Sequence, residues 1–324
     1  MVPRRRSALG TTTQTFVGLS LLTIGSLAAL ATVLGFFGGS WWALDALANL
    51  RLQLGLALVL VGGLYGWLLG RGVGLLFVTI GLVNAALIVP LYFGSPAEAH
   101  GTETLSMVSL NVSASSRTMD GVLEWVEESG ADLVFLLESD EAWEAEVASG
   151  APGYTVQSEL PGDRRSGITV LARDGVTTET MRLGSAHDPV IRARSTLGGE
   201  PLVIYALRSR SATSRDGTEM RNTLLEDLAD RVEAETDPVV VIGDLSATPW
   251  SAAFRALQED GDLINSLDGY GLQPSWPANL PFGLSIPIDH MLHSDGLTTT
   301  QRGLGPARGP DRKPLMVTVA RAAS

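Results

Sequence analysis

The chain has 324 residues, with 23 Lys plus Arg against 35 Asp plus Glu, a formal net charge of −12 and no cysteine. It therefore has no disulfide framework, and it is compatible with an oxidising compartment without requiring one. The charges are unevenly divided: residues 1–94 hold five Arg and one Asp, leaving eighteen Lys plus Arg against thirty-four Asp plus Glu in the remainder. That balance is opposite to the basic stripe a nucleic-acid binder uses to neutralise phosphates, so nucleic acid is disfavoured as a partner. A well-solvated surface accounts for the acidity without any ligand.

Three stretches, residues 15–37, 52–70 and 73–93, contain no Asp, Glu, Lys or Arg, and each is close to the ~20 apolar residues that cross a bilayer core. They predict three membrane spans within a membrane domain over residues 1–94. The competing reading of the first stretch is a signal peptide, because Arg4, Arg5 and Arg6 precede it and small residues lie near its middle. That reading fits less well, since an apolar signal region runs ~7–15 residues and two further spans follow at once. Arg4–Arg6 and Arg71 outnumber Arg51, the one cation of the first connection, which by the positive-inside bias puts the N-terminus in the cytoplasm. Three spans then carry the C-terminal part to the extracytoplasmic side. Trp41, Trp42 and Tyr92 lie near span ends, where interfacial anchoring is the ordinary role of such residues.

Residues 95–103 read as a short polar linker, and residues 104–324 as one domain by length. Buried strands are predicted at 105–110, 133–137, 167–171, 202–207, 239–242, 286–292 and 315–319, from short runs rich in β-branched and apolar residues. Between them, Val122, Leu123, Trp125 and Val126 cluster on one face of a helix over 119–129. Met220, Leu224, Leu228 and Val232 do so over 220–232, by the 3.6-residue period. Strands interleaved with helices predict a layered α/β domain.

Polar residues stand where these strands end: Ser109-Leu110-Asn111-Val112, Leu136-Leu137-Glu138-Ser139, and Gly243-Asp244-Leu245-Ser246-Ala247-Thr248-Pro249, with Ile288-Asp289-His290-Met291 inside the sixth strand. Side chains at neighbouring strand ends converge on one rim, the usual way a layered scaffold builds a polar site. Singly, each segment has an ordinary structural explanation. Asn111 suits a strand-end turn, Glu138 a solvated surface, and Gly243-Asp244 a common turn after a strand. Asp289 in an apolar run is harder to explain so, because a buried carboxylate needs partners.

Taken as an ordered set, these segments resemble the endonuclease/exonuclease/phosphatase superfamily from about Thr104 to Val319, and the three preceding spans resemble its membrane-bound members. The resemblance implies an α/β (α+β) fold, a four-layer sandwich of two packed β-sheets flanked by helices. It also implies phosphoester hydrolysis assisted by Mg2+ or Mn2+. By matching position, Glu138 corresponds to the metal-holding carboxylate and Asn111 to the amide orienting phosphate or metal ligands. Asp244 corresponds to the carboxylate that positions or deprotonates water, Asp289 to the residue orienting a catalytic histidine, and Asp311 to the acid just before that histidine.

Three departures stand against these matches: Arg208 and Arg312 occupy the two histidine positions, and Ser246 stands where the family has asparagine. Arginine can hold phosphate through its planar fork of donors, but with a pKa above ~12 it cannot shuttle protons near neutrality. Positioned acid–base catalysis is worth roughly 10²–10⁴-fold, so much of the rate should be lost. His293 shares a strand face with Asp289 and Met291 by period two, and a satisfied strand-end histidine explains it better than a rescue role. A rim carrying Glu138, Asp244, Asp289 and Asp311 needs neutralising, and Arg208 and Arg312 supply two fixed cations able to stand in for the metal. Two functions follow for Arg208, Arg312 and Ser246 as substrate-binding groups. One is a metal-dependent phosphoesterase acting beside the membrane on a phosphorylated or lipid-linked small molecule. The other is a non-catalytic domain that binds an anionic ligand or a protein. A purely structural scaffold has no positive feature behind it.

Overall fold

The computed structural model describes residues 11–94, 96–112, 119–151, 153–159, 167–173, 175–307 and 311–323. Arg4–Arg6, on which the expected sidedness rests, lie outside the described residues. Helix α1 (Thr11–Leu34) runs into a 3-10 turn (Gly35–Ser40) and a short helix α2 (Trp42–Ala48). Helices α3 (Arg51–Leu68) and α4 (Arg71–Ile88) follow, the latter closing in a 3-10 turn (Val89–Tyr92). Thr13–Ser40, Arg51–Leu68 and Arg71–Tyr92 are long and apolar enough to cross a membrane. Helices α3 and α4 cross closely because glycines face each other there. A Cβ on Gly62 would stand 2.7 Å from the Gly74 carbonyl, and one on Gly74 2.6 Å from the Gly62 carbonyl, the small-residue contact typical of membrane helices. Arg51 and Asn84 tie all three together: the Arg51 Nη1 donates to the Thr32 carbonyl at 2.9 Å and the Asn84 amide to the Thr32 hydroxyl at 3.0 Å. Outward-facing side chains are apolar, Trp67 being 82% and Leu60 70% exposed.

The remaining residues form two six-stranded sheets. The first contains β1 (Ala99–Asn111), β2 (Leu133–Leu137), β3 (Thr155–Glu159), β4 (Ile168–Ala172), β11 (Leu297–Leu304) and β12 (Leu315–Ala322), in the order β11-β12-β1-β2-β4-β3. The second contains β5 (Thr177–Leu183), β6 (Asp188–Leu197), β7 (Glu200–Arg208), β8 (Val239–Asp244), β9 (Ile264–Asn265) and β10 (Asp289–His293), in the order β5-β6-β7-β8-β10-β9. Only β1 with β2 and β7 with β8 are parallel pairs among these. Alternation along each strand sends one set of side chains between the sheets and the other outward. Met107, Phe135, Val170, Ile204, Ile242, Met291 and Val317 thus share one inter-sheet core.

Helices α5 (Met119–Ser129) and α6 (Glu141–Gly150) cover the outer face of the first sheet, where Trp125, Val126 and Trp143 meet Leu110, Val134 and Leu136. Helices α7 (Arg215–Glu233) and α8 (Ala252–Asp260) cover the second, where Leu224, Leu228 and Phe254 meet Tyr205, Val241 and Leu292. The result is the four-layer α/β/β/α sandwich that the resemblance implied.

Every predicted strand falls within an observed one except for Gly167, one residue before β4, and the start of 286–292. There Ile286 makes only an isolated bridge to Trp276, and the strand proper begins at Asp289. Residues 99–103, expected in the linker, already belong to β1, although all of them are exposed. Strands β3, β5, β6, β9 and β11 and helices α2, α6 and α8 were not anticipated.

The sandwich sits on the membrane helices through specific contacts. Asp45 of α2 is buried against Arg221 of α7, with Oδ2 2.7 Å from Nη2, and its other oxygen accepts from the Ala252 N–H at the start of α8 at 3.2 Å. Asn49 accepts from both the N–H and hydroxyl of Thr248 at 3.0 and 2.7 Å. Trp250 donates to the Leu87 carbonyl at 3.1 Å and packs with Ile88, Leu91, Leu267 and Leu272. The segment following Asp244 is therefore the surface that faces the membrane helices.

Candidate functional site

Register brings the rim residues level. Arg208 pairs with Asp244 across β7 and β8, and Asp244 with Asp289 across β8 and β10. In the other sheet Asn111 pairs with Leu137, so that Glu138 follows directly at the strand end. Gly243 makes the approach of β8 to β7 possible: its φ is +146°, and a Cβ there would stand 1.9 Å from the Leu207 carbonyl oxygen. Both rim loops turn through a left-handed residue that is not glycine, Glu138 at φ 58° and Ser246 at φ 45°. Such strain is held by surrounding structure and concentrates at functional sites.

The side chains form one connected chain of cations and carboxylates, with an amide between two of the acids. Arg208 Nε lies 2.9 Å from Glu138 Oε1, a close ion pair without hydrogen-bond alignment. The Asn111 amide donates to Glu138 at 2.8 Å and to Asp244 at 3.3 Å. Arg312 Nη2 lies 3.2 Å from Asp244 Oδ2, and its Nη1 4.0 Å from Asp289 Oδ2. Neither of those last two atoms has a hydrogen-bond partner. Asp244 also accepts from the Ser246 N–H at 2.8 Å and its hydroxyl at 3.1 Å.

Electrostatics follow from this burial. The Asp289 carboxyl is pushed up to about 7, first by desolvation and then by Asp244, against the lowering influence of Arg312. Burial alone would lower the Arg312 pKa, but Asp244, Asp289, Asp311 and Glu138 outweigh it and raise it. His290 is driven down to about 3 by burial and then by Arg302. It faces away from the rim, with Nε2 2.8 Å from the Ala247 carbonyl and its ring on Phe254. His293 sits on the Ser294 carbonyl at 2.9 Å. Both rings take backbone carbonyls as their hydrogen-bond partners, in keeping with the structural role expected of His293.

The sequence reading grouped Asp311 with the other rim acids. Its carboxylate instead accepts from Trp276 Nε1 at 3.0 Å, and it lies outside the bonded chain of carboxylates. Trp276 also places its ring 5.7 Å from the Arg312 guanidinium carbon, within cation–π range. It was missed because it lies in a Pro-containing segment with no periodic signal. Arg302 was missed too: buried and bonded to Ser266 and Gln273, it has its pKa lowered to about 9 by desolvation.

A cavity of about 390 Å³ opens beside the rim. Trp42, Ala46, Asn49 and Leu50 form one wall, and Ser246, Trp276, Ile286, Ile288 and Arg312 the other. Trp42 is thus part of this wall as well as a residue near a span end.

The two-sheet sandwich with its polar rim belongs to the metal-assisted phosphoesterase type of fold. The profile of the Endonuclease/Exonuclease/phosphatase family matches residues 108–321, and the chain belongs to that family. Solved structures share the fold at low identity. TDP2 of D. rerio complexed with a single-strand DNA product is 16% identical, with 67% of this chain and 98% of that one covered and a TM-score of 0.54. The mannosyl-6-phosphatase Bt3783 of Bacteroides thetaiotaomicron is 16% identical, with 67% and 99% covered and a TM-score of 0.54. The human Nocturnin catalytic domain with bound sulfate is 15% identical, with 72% and 98% covered and a TM-score of 0.50. No curated protein matches the chain.

The family is generally dependent on a divalent metal, and here the carboxylate that would hold it is already engaged by a fixed cation. Mg2+ demands near-octahedral oxygen ligands. Glu138 Oε1 already meets the Arg208 guanidinium and the Asn111 amide. Among the described residues no group of three or more His, Asp or Glu is placed to hold a metal ion.

Proposed function

We propose that this membrane-anchored member of the family binds a phosphate-bearing anion at Arg208 and Arg312, and that the two arginines take over the charge-balancing task of the metal. The observation that carries this reading is the pairing of Arg208 with Glu138 and of Arg312 with Asp244. Two fixed cations neutralise the carboxylates, and the planar guanidinium suits phosphate oxygens. The positive-inside bias supports an extracytoplasmic domain.

Titration of the purified full-length protein with MgCl2 and MnCl2 by calorimetry tests the metal half of the reading. Binding weaker than millimolar is expected, together with binding of inorganic phosphate that Arg312→Gln weakens about tenfold or more, the loss of a charge-assisted contact. Micromolar Mg2+ binding abolished by Glu138→Ala would refute it.

A second reading, retained hydrolysis, has one observation in its favour. Buried in the site beside Asp244, the Asp289 carboxyl is raised by desolvation toward neutrality, the direction a proton-transferring group needs. Metal-stimulated hydrolysis of bis-p-nitrophenyl phosphate, lost in Asp289→Asn, would favour it.

A further inference from the structure

We propose that the cavity between α2 and the rim holds an acidic phospholipid taken sideways from the bilayer, with its phosphate on Arg312 and its acyl part against the α2 wall. This rests on the reading that Arg312 receives an anion, and it adds the ligand class and its route.

Four observations support it. The cavity is built jointly by the membrane part and the sandwich, so it exists only with the two docked. Its lining is amphipathic: Ala46, Leu50, Ile286 and Ile288 offer apolar surface, while Arg312, Ser246 and Ser211 offer polar groups. Arg312 lines the cavity, and its buried Nη1, 4.0 Å from Asp289, lacks a hydrogen-bond partner.

The fourth is the position of the mouth. Leu50, 39% exposed, immediately precedes α3, and the Ser285 carbonyl accepts from Gln53 in the first turn of α3 at 3.2 Å. Beside it, Leu280, Phe282 and Leu284 are 42%, 53% and 57% exposed, and a Cβ on Gly283 would lie 3.4 Å from Leu56 of α3. Exposed apolar residues against a bilayer-crossing helix are explained by burial in the lipid boundary. On this proposal the cavity opens where acyl chains end and headgroups begin. A lipid reaching Arg312 from there would leave its apolar part on Leu50 and Ile286 and cross no water.

The test uses full-length protein in dodecyl maltoside and titrates dioctanoyl phosphatidic acid, dioctanoylglycerol and inorganic phosphate separately. Phosphatidic acid should bind at least about tenfold tighter than inorganic phosphate, from apolar burial added to the anion contact, and dioctanoylglycerol should not bind measurably. Ala46→Trp, which fills the apolar wall, should remove that advantage and leave phosphate binding intact. Leu50→Gln, at an exposed position, should reduce it without risk to folding. Equal affinity for phosphatidic acid and phosphate, unaffected by both variants, would overturn the lipid proposal and leave the anion reading standing. Binding of neither would overturn both, and equal binding of dioctanoylglycerol would show that the headgroup is not read and overturn the proposal.

Discussion

The Asn111 amide lies between two carboxylates, 2.8 Å from Glu138 and 3.3 Å from Asp244, and gives each a donor where direct contact would be repulsive. Its place at a strand end was legible, and so were the acids, because polar residues closing apolar strands stand out. Their partners were legible only as charges. On β10 two adjacent residues respond oppositely to pH. Between about 6.5 and 3 the unfolded chain takes up a proton that folded His290 refuses, so stability falls as pH falls. Between 3.8 and about 7 folded Asp289 keeps a proton that the unfolded chain releases, so stability falls as pH rises. Thermal unfolding across this range should show His290→Gln flattening the acid side. Asp289→Asn should flatten the decline toward neutrality and make the protein more stable than the native chain at pH 8. A native profile unchanged by both substitutions would contradict these linkages.

At the scale of elements, the rim depends on how closely β8 runs beside β7. With the Leu207 oxygen 1.9 Å from where a Gly243 Cβ would lie, Gly243→Ala should destabilise by on the order of 3 kcal/mol, strain and overpacking together. Denaturant unfolding measures this, and a change below about 0.5 kcal/mol, within the range of ordinary surface substitutions, would contradict it. Continuous apolar runs revealed the buried strands β2, β4, β7 and β8, because both of their faces are covered. Strand β5 escaped because most of its residues are exposed or half-buried, giving no continuous apolar run. Helix α8 escaped for another reason. It is nine residues long, and its start is fixed by the Ser251 hydroxyl on the Phe254 N–H and by Asp45 from a distant helix.

At the scale of the whole molecule, the Asp45–Arg221 pair joins the membrane part to the sandwich, and Arg221 also donates to the Ser246 carbonyl at 3.1 Å. Both side chains are almost wholly buried, so Asp45→Ala leaves an uncompensated charge and should cost about 3–5 kcal/mol. Hydrogen exchange should then quicken in residues 245–252 and in α2 before it does in the inter-sheet core. Uniform quickening throughout would mean that the contact does not govern docking. The absence of cysteine permits a clean test of sidedness. Glu200→Cys should react with an impermeant maleimide in intact cells, and Gly72→Cys only after permeabilisation. The reverse pattern would place the domain in the cytoplasm.

Composition and periodicity by themselves determined the three apolar helices, the layered α/β class and most of the rim residues. These follow from local spacing: bilayer thickness sets a length, strand geometry a period, and strand ends a place for polar groups. Tertiary structure alone decided that Arg208 meets Glu138, that Arg312 meets Asp244, and that Asp311 turns to Trp276 instead. It also decided that α2 docks beside the rim to enclose a cavity. Each of these joins residues far apart in the chain, where strand register and helix packing, not sequence spacing, set the distance.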